Sequence, residues 1–316
     1  MSLLEVINLR VYYPITSGLL SKRIGEVKAV DGVCFKIMDG ESLGLVGESG
    51  CGKTTIAKAI VKLEKPTGGR VIYRGRDINS LSKNEEREYR KEVQMIFQDP
   101  HASLDPRMTV GDAVEEPLII HGVRDPEERR RRVEELFDAV GLEREHMRRY
   151  PHEFSGGQKQ RIGIARALAV KPRLIIADEP VSALDISVQA QVLNLFMKLQ
   201  KSFNLSYLFI AHNLSVIRNT CDRVVVMYLG KVMEMTDTEE IFRNPLHPYT
   251  RMLLEAIPIP DPQRRKKRTF PPAIPRRVIK GCRFWAQCSE ASDRCRTEEP
   301  EMIEVGAGHY VACFKV

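Results

Sequence analysis

The chain has 316 residues, enough for one large domain or two modest ones, and its 43% hydrophobic and 29% charged residues describe an ordinary globular protein with ample core. No apolar run approaches the roughly 20 residues of a membrane span, and the N-terminus lacks the basic-then-apolar form of a signal peptide, so a cytosolic location is expected. A net charge of +7 permits nucleic acid or an anionic membrane face as partner, but much of the excess sits in two runs. Arg129–Arg132 is flanked by Glu127, Glu128, Glu134 and Glu135 and reads as a solvated helix face. Arg264–Arg268 is bounded by prolines and reads as exposed linker.

Leu4–Tyr13 has the β-branched and aromatic character of a strand, ending at Pro14, and a polar loop follows through about Val27. Val30–Ile37 alternates like a second strand. The apolar run Leu43–Val46 then leads into Gly47-Glu48-Ser49-Gly50-Cys51-Gly52-Lys53-Thr54, which opens onto helix formers from Thr55 to Val61. Strand, glycine-rich turn and helix form the context of a phosphate-binding loop. Its glycines let successive N–H groups converge, the helix N-terminus adds its dipole, Lys53 reaches the β- and γ-phosphates, and the Thr54 hydroxyl ligates Mg²⁺. Cys51, beside Lys53 and that N-terminus, is expected to carry a lowered thiol pKa and to be alkylated with loss of activity.

Pro66–Gly69 is a turn into a strand at Arg70–Tyr73, and Val93–Phe97 is a strand candidate ending on Gln98. From Asp99 to about Tyr150 the texture changes to helix formers and charge, with Val133, Leu136, Val140 and Leu142 on one apolar face. Phe154-Ser155-Gly156-Gly157-Gln158 precedes a helix over Lys159–Val170. Ser155 is a natural N-cap, so this is a second glycine-rich anion site. The bounded apolar runs Leu174–Ala177, Tyr207–Ala211 and Val224–Leu229 are buried parallel strands, and Val188, Val192, Leu195, Phe196 and Leu199 mark a connecting helix. The first of those strands delivers Asp178, for Mg²⁺, and Glu179, to polarise the attacking water. These elements define an α/β fold with a parallel sheet and a helical insertion.

In this order the motifs resemble the ATP-binding subunit of an ABC transporter, over roughly residues 1–257. The resemblance implies a P-loop ABC ATPase core with an N-terminal antiparallel β subdomain and a helical insertion at about 99–170. It also implies that ATP is sandwiched between two subunits, with Ser155, Gly156, Gly157 and Gln158 as the signature. Gln98 becomes the Q-loop glutamine and a Mg²⁺ ligand, Ser182-Ala183-Leu184-Asp185 the D-loop, and His212 the switch histidine that orients Glu179. Lys53, Gln98, Glu179 and His212 carry the chemistry. Gly47, Ser49, Gly50, Cys51, Gly52, Thr54, Thr55, Asp178 and Asp185 complete the nucleotide site. Tyr13 is the aromatic expected on adenine, with Tyr12 its rival.

More narrowly, Gln98–Val110, Tyr150–Gln158 and Asn244-Pro245-Leu246-His247-Pro248-Tyr249-Thr250 resemble the F-type ATPases of oligopeptide, dipeptide and nickel importers. That resemblance implies a second ATPase subunit (a heterodimer before a homodimer), two membrane permeases, a substrate-binding protein outside, and docking at the cytoplasmic face. A nickel importer, and an ABC ATPase acting on nucleic acid, are the alternatives; no nucleic-acid partner is expected.

Seven cysteines in a reduced chain argue against a disulfide framework. Cys282, Cys288, Cys295 and Cys313 crowd the C-terminal end, beyond a proline-rich and basic linker that opens a segment over 258–316. Four thiolates suit Zn²⁺ or an iron–sulfur cluster, and the wide spacing argues weakly against zinc. Similar tails in the importer family carry a [4Fe–4S] cluster, with Gly281 and His309 in the same pattern. Nothing in the sequence connects these cysteines with the phosphates.

Overall fold

The computed structural model describes residues 2–17, 22–99, 103–257 and 280–316; the basic run Arg264–Arg268 and its prolines lie outside the described residues. The strands are β1 (Ser2–Ser17), β2 (Lys22–Met38), β3 (Ser42–Val46), β4 (Gly68–Tyr73), β5 (Arg76–Asp77), β6 (Val93–Ile96), β7 (Leu174–Asp178), β8 (Ser206–Ala211), β9 (Arg223–Tyr228), β10 (Lys231–Asp237), β11 (Ile303–Gly306) and β12 (His309–Val311). They form a four-stranded antiparallel sheet, β2-β1-β4-β5, and an eight-stranded sheet, β11-β12-β10-β9-β3-β8-β7-β6.

β3, β7 and β8 are buried at every position, as strands covered on both faces must be. Because side chains alternate across a strand, the apolar runs supply two cores at once. Val46, Ile175, Ala177, Tyr207, Phe209, Val224 and Val226 point into one, with the inserted helices. Leu43, Leu45, Leu174, Ile176, Leu208, Ile210, Val225 and Met227 point into the other, with the antiparallel sheet. A strand buried on one face only would waste half of these residues.

The N-terminal hairpin is longer than the sequence suggests. β1 runs past Pro14 to Ser17, and Pro14 and Tyr13 pair with Glu26 and Val27 of β2, where a loop was expected. β4 accompanies β1 only as far as the pair Arg10 and Gly68. Beyond it the ribbon is two-stranded, and edge backbone of that kind tolerates a proline without breaking a sheet.

Helices Val110–Ile120, Pro126–Val140 and Gly156–Leu168 fill the stretch between β6 and β7. The second starts on Asp125, whose side chain accepts from the Glu127 N–H, has Pro126 in its first turn, and stops at Gly141 with φ 71. Arg130 and Arg132 pair with Glu134 and Glu128 along the helix, as expected of a solvated face. Arg129 departs from that reading: it turns inward to Glu115 at 2.5 Å and to the Val123 carbonyl, joining two helices.

The C-terminal segment adds to the central sheet. β12 pairs with β10 through Glu234 with Val311 and Met235 with Tyr310. The fully buried Glu234 lies 2.8 Å from His309 and accepts the N–H groups of Leu246 and His247, so its charge is not left unpaired. Phe284 packs against the rings of Tyr228, Tyr249 and His247. Among the described residues no helix is long and apolar enough to cross a membrane.

His247 is buried and its Nδ1 accepts from the Tyr249 N–H, so burial, reinforced by Arg251, holds its imidazole down at about 4. An unfolded chain binds that proton near 6.5, so stability is full above that value and falls with acid through the window down to about 4. We expect a loss on the order of 3 kcal/mol across that window in urea unfolding measured between neutral pH and pH 4; His247→Gln should flatten the slope, and an unchanged slope would clear His247 of the effect.

Candidate active site

Backbone contact shapes the glycine loop. A Cβ at Gly47 would come within 2.1 Å of the Met227 carbonyl oxygen, and one at Gly52 within 2.1 Å of the Ala29 oxygen. Only glycine fits either place, and at Gly52 the φ of 109 also demands it. The loop is tied to its surroundings: the Gly230 N–H donates to the Cys51 carbonyl at 2.9 Å, and the Glu48 N–H donates to the Tyr249 hydroxyl at 3.0 Å. The helix Lys53–Ile60 starts directly after it. Lys53 Nζ is folded onto the carbonyls of Gly47 (2.6 Å) and Glu48 (2.9 Å), a buried ammonium held over the loop mouth.

The carboxylates arrive from the far side of β8. Asp178 ends β7, two strands from β3, and accepts the Thr54 hydroxyl at 3.2 Å. Burial holds the Asp178 carboxyl above its ordinary range, with Thr54 and Lys53 pulling the other way. Glu179 follows with φ 46, a left-handed value that non-glycine residues adopt at a cost of order 1–3 kcal/mol. Its N–H is anchored on the Ile210 carbonyl of β8. The strained turn aims the carboxylate at two partners: Glu179 Oε2 accepts from Gln98 Nε2 at 3.0 Å and lies 3.3 Å from His212 Nδ1. Gln98 follows β6 and His212 follows β8, so three neighbouring strands deliver one cluster.

Most of the residues singled out from sequence meet around one cavity of about 660 Å³. Tyr13, Ser49, Gly50, Gly52, Lys53, Thr54, Thr55, Gln98 and Glu179 line it, with Asp178 hydrogen-bonded to Thr54, while Gly47 and Cys51 belong to the loop without lining the cavity. The pleat turns the two tyrosines in opposite directions. Tyr13 faces the cavity, while Tyr12 turns away to hydrogen-bond Asp31 under the Lys28 ammonium. Ser155, Gly156, Gly157, Gln158 and Asp185 do not reach the cavity. Ser155 and Gln158 form a reciprocal capping box on the helix Gly156–Leu168, and Gly157 is closed against Val188, where a Cβ would come within 2.5 Å. Ser155, Asp185 and Ile186 are exposed, on a face that nothing in this single chain covers.

One sequence expectation is corrected, and a second finds no support among the described residues. Cys51 is only 2% exposed, and burial pushes its thiol up, outweighing the pull of Lys53. The four C-terminal cysteines do line a common small cavity of about 10 Å³. Yet among the described residues no group of three or more His, Cys, Asp or Glu side chains is arranged to hold a metal ion. Cys295 Sγ is also engaged by the Ser292 N–H and hydroxyl at 3.5 and 3.4 Å.

Sequence reasoning missed a whole wall of this cavity. Glu26–Ala29, Leu229, Gly230 and Arg283 form it, from three distant parts of the chain. Of these only the glycine after an apolar run carried any local signal. Tyr249 carries the family resemblance in sequence, and only the structure shows its hydroxyl supporting the loop.

This fold and this loop–carboxylate–histidine cluster define a cassette-type P-loop ATPase. The MJ0796 ATP-binding cassette, solved as a dimer in a post-hydrolysis state with ADP and Pi, is 31% identical, with a TM-score of 0.66 over 74% of this chain and 98% of that one. CbiO1 from Clostridium perfringens, part of the ABC transporter complex cbiONQ, is 26% identical, with a TM-score of 0.65 over 77% and 91%. Residues 30–182 match the ABC transporter family, and residues 233–295 match the oligopeptide/dipeptide transporter C-terminal region. The oligopeptide transport ATP-binding protein AppF of Bacillus subtilis is 51% identical over 99% of this chain and 97% of its own. OppF of Escherichia coli, an oligopeptide transport ATP-binding protein, is 48% identical over 99% and 96%. The chain belongs to this family of ABC peptide-transport ATP-binding proteins, and it is an ATP hydrolase.

Maleimide labelling of the native protein should modify the exposed Cys34 rapidly and leave Cys51 and Cys221 unmodified until the chain is unfolded. Peptide mass spectrometry showing Cys51 labelled as fast as Cys34 would contradict the burial described for it.

Proposed function

We propose that this chain is the F-type subunit that hydrolyses ATP to drive import of oligopeptides or dipeptides. It docks on the cytoplasmic face beneath two permeases, pairs with a second ATPase subunit, and serves a substrate-binding protein outside. The observation that carries the reading is the Glu179 carboxylate, fixed between Gln98 and His212 at the mouth of a loop built for phosphate. AppF and OppF, the relatives named for oligopeptide transport, support the substrate class.

In the proposed cycle Tyr13 stacks on adenine and the loop N–H groups take the phosphates. Lys53 gives up the Gly47 and Glu48 carbonyls for phosphate oxygens. Thr54, Asp178 and Gln98 are the residues that would hold Mg²⁺; when bound, the ion neutralises charge on the phosphate oxygens. Asp178 must be ionised for that, and its raised carboxyl makes Mg²⁺ binding fall with acid sooner than an ordinary aspartate would require. Ser155–Gln158 and Asp185 act across the interface, on the nucleotide held by the partner subunit. This assigns a use to the exposed capping box and to Ile186, which is 86% exposed. Glu179 takes a proton from the attacking water, and His212 keeps its carboxylate aimed.

Glu179→Gln should retain ATP binding and lose roughly 10²–10⁴ of turnover, the usual worth of a general base. Gel filtration with ATP should then show closed dimers, whereas near-normal hydrolysis would remove Glu179 from the role.

We also infer that Cys282, Cys288, Cys295 and Cys313 hold a [4Fe–4S] cluster, with Zn²⁺ as the second soft-metal reading. The support is their convergence on one cavity and their donor chemistry. Burial, then the neighbouring thiols, raises Cys282 to about 11, so its thiolate forms when a bound metal displaces the proton to solvent. Cys295 would have to leave Ser292. Anaerobically purified protein should be brown, with iron and acid-labile sulfide. Stoichiometric zinc without iron would favour the second reading, and neither metal would end both.

A further inference from the structure

The C-terminal cysteine segment reaches the nucleotide cavity through one residue. Arg283, next to Cys282, lines that cavity with Ala29, Leu229 and Gly230. One guanidinium nitrogen, Nη2, donates to Asp31 Oδ2 at 2.6 Å. Asp31 is a hub: it also accepts the Tyr12 hydroxyl and lies 3.6 Å from Lys231 Nζ. Its charge is thus satisfied from several directions, and Arg283 is not needed to neutralise it alone. The guanidinium keeps further donors, and its Nε is buried with no hydrogen-bond partner among the described residues. A guanidinium that lines a cavity into which a phosphate loop opens can offer its remaining donors to an anion.

Its placement is not that of a free surface arginine. The side chain is 13% exposed, and the backbone before it is pinned. The Cys282 N–H donates to the Cys295 carbonyl at 2.9 Å, and Gly281 sits where a Cβ would come within 2.4 Å of that same oxygen. Phe284 on the other side is locked among Tyr228 and Tyr249, and Tyr249 in turn holds Glu48 of the loop.

We propose that Arg283 is a nucleotide-binding residue, donating to the phosphate or ribose oxygens of the nucleotide bound at Lys53, so that the cysteine segment supplies one wall of the ATP site. The inference rests on the nucleotide reading of that cavity. It makes the packing around Cys282 and Cys295 a determinant of nucleotide affinity.

Calorimetry with MgADP on the full chain tests it without hydrolysis. Arg283→Ala should weaken binding about ten-fold, the loss of one charge-assisted hydrogen bond. Arg283→Lys, which keeps the charge but not the fork, should fall between. Glu299→Gln is the control: it cuts the 2.5 Å tie to Lys231, another anchor of the same segment, and leaves the guanidinium in place. It should stay within about two-fold of the parent, well inside the loss set by one charge-assisted bond. Unchanged affinity in Arg283→Ala would overturn the proposal, as would an equal loss in Glu299→Gln, which would assign the effect to undocking of the segment. If Arg283→Ala fails to fold, Arg283→Lys decides by the same criterion. Failure of the parent chain to bind MgADP would instead overturn the nucleotide reading itself.

Discussion

The loop Gly47–Gly52 is packed backbone against backbone, and most of the site depends on that closeness. Its first glycine lies against the Met227 carbonyl of β9, and its last lies against the Ala29 carbonyl of β2. A loop confined this way keeps its N–H groups convergent before any ligand arrives, which spares binding the entropy of ordering them. The ammonium of Lys53 occupies the mouth meanwhile, on carbonyls it can exchange for phosphate oxygens.

Around that fixed loop the chemistry is assembled strand by strand. β3 carries the loop, β8 carries His212, β7 carries Asp178 and Glu179, and β6 leads to Gln98. Parallel strands all end at the same edge, so residues scattered over more than a hundred positions meet there without long side chains. The left-handed turn at Glu179 is the local cost of aiming its carboxylate back across the edge toward Gln98 and His212. The signature helix stands apart, and its role across a dimer interface belongs to the proposed function. Its capped, exposed N-terminus is closed against Val188 and stands clear of the chain's own cavity, a geometry suited to a partner's nucleotide.

The C-terminal segment changes meaning between sequence and structure. By spacing alone its four cysteines are a tail beyond a linker. In the fold, β12 continues the central sheet, Glu234 and His309 form a buried pair, and Phe284 joins an aromatic group reaching Tyr249. Tyr249 touches the phosphate loop directly, so the tail and the loop share a support.

Local chemistry was enough to read much of this protein. The spacing of Gly47, Gly52, Lys53 and Thr54, the apolar runs ending on Asp178 and preceding His212, and the Ser155 cap each follow from nearest-neighbour physics: glycine conformation, strand alternation and helix capping. Those rules specify what a short segment becomes, whatever surrounds it. They do not specify what a segment meets. That Tyr13 rather than Tyr12 lines the cavity depended on the register of a hairpin that runs on past Pro14. That Cys51 is shielded rather than activated depended on burial, which outweighs the nearby ammonium. That Arg283 borders the cavity depended on contacts between residues more than two hundred positions apart, such as its bond to Asp31. Long-range pairing has no local signature, because either partner alone is an ordinary charged residue; only the tertiary structure decides which of them meet.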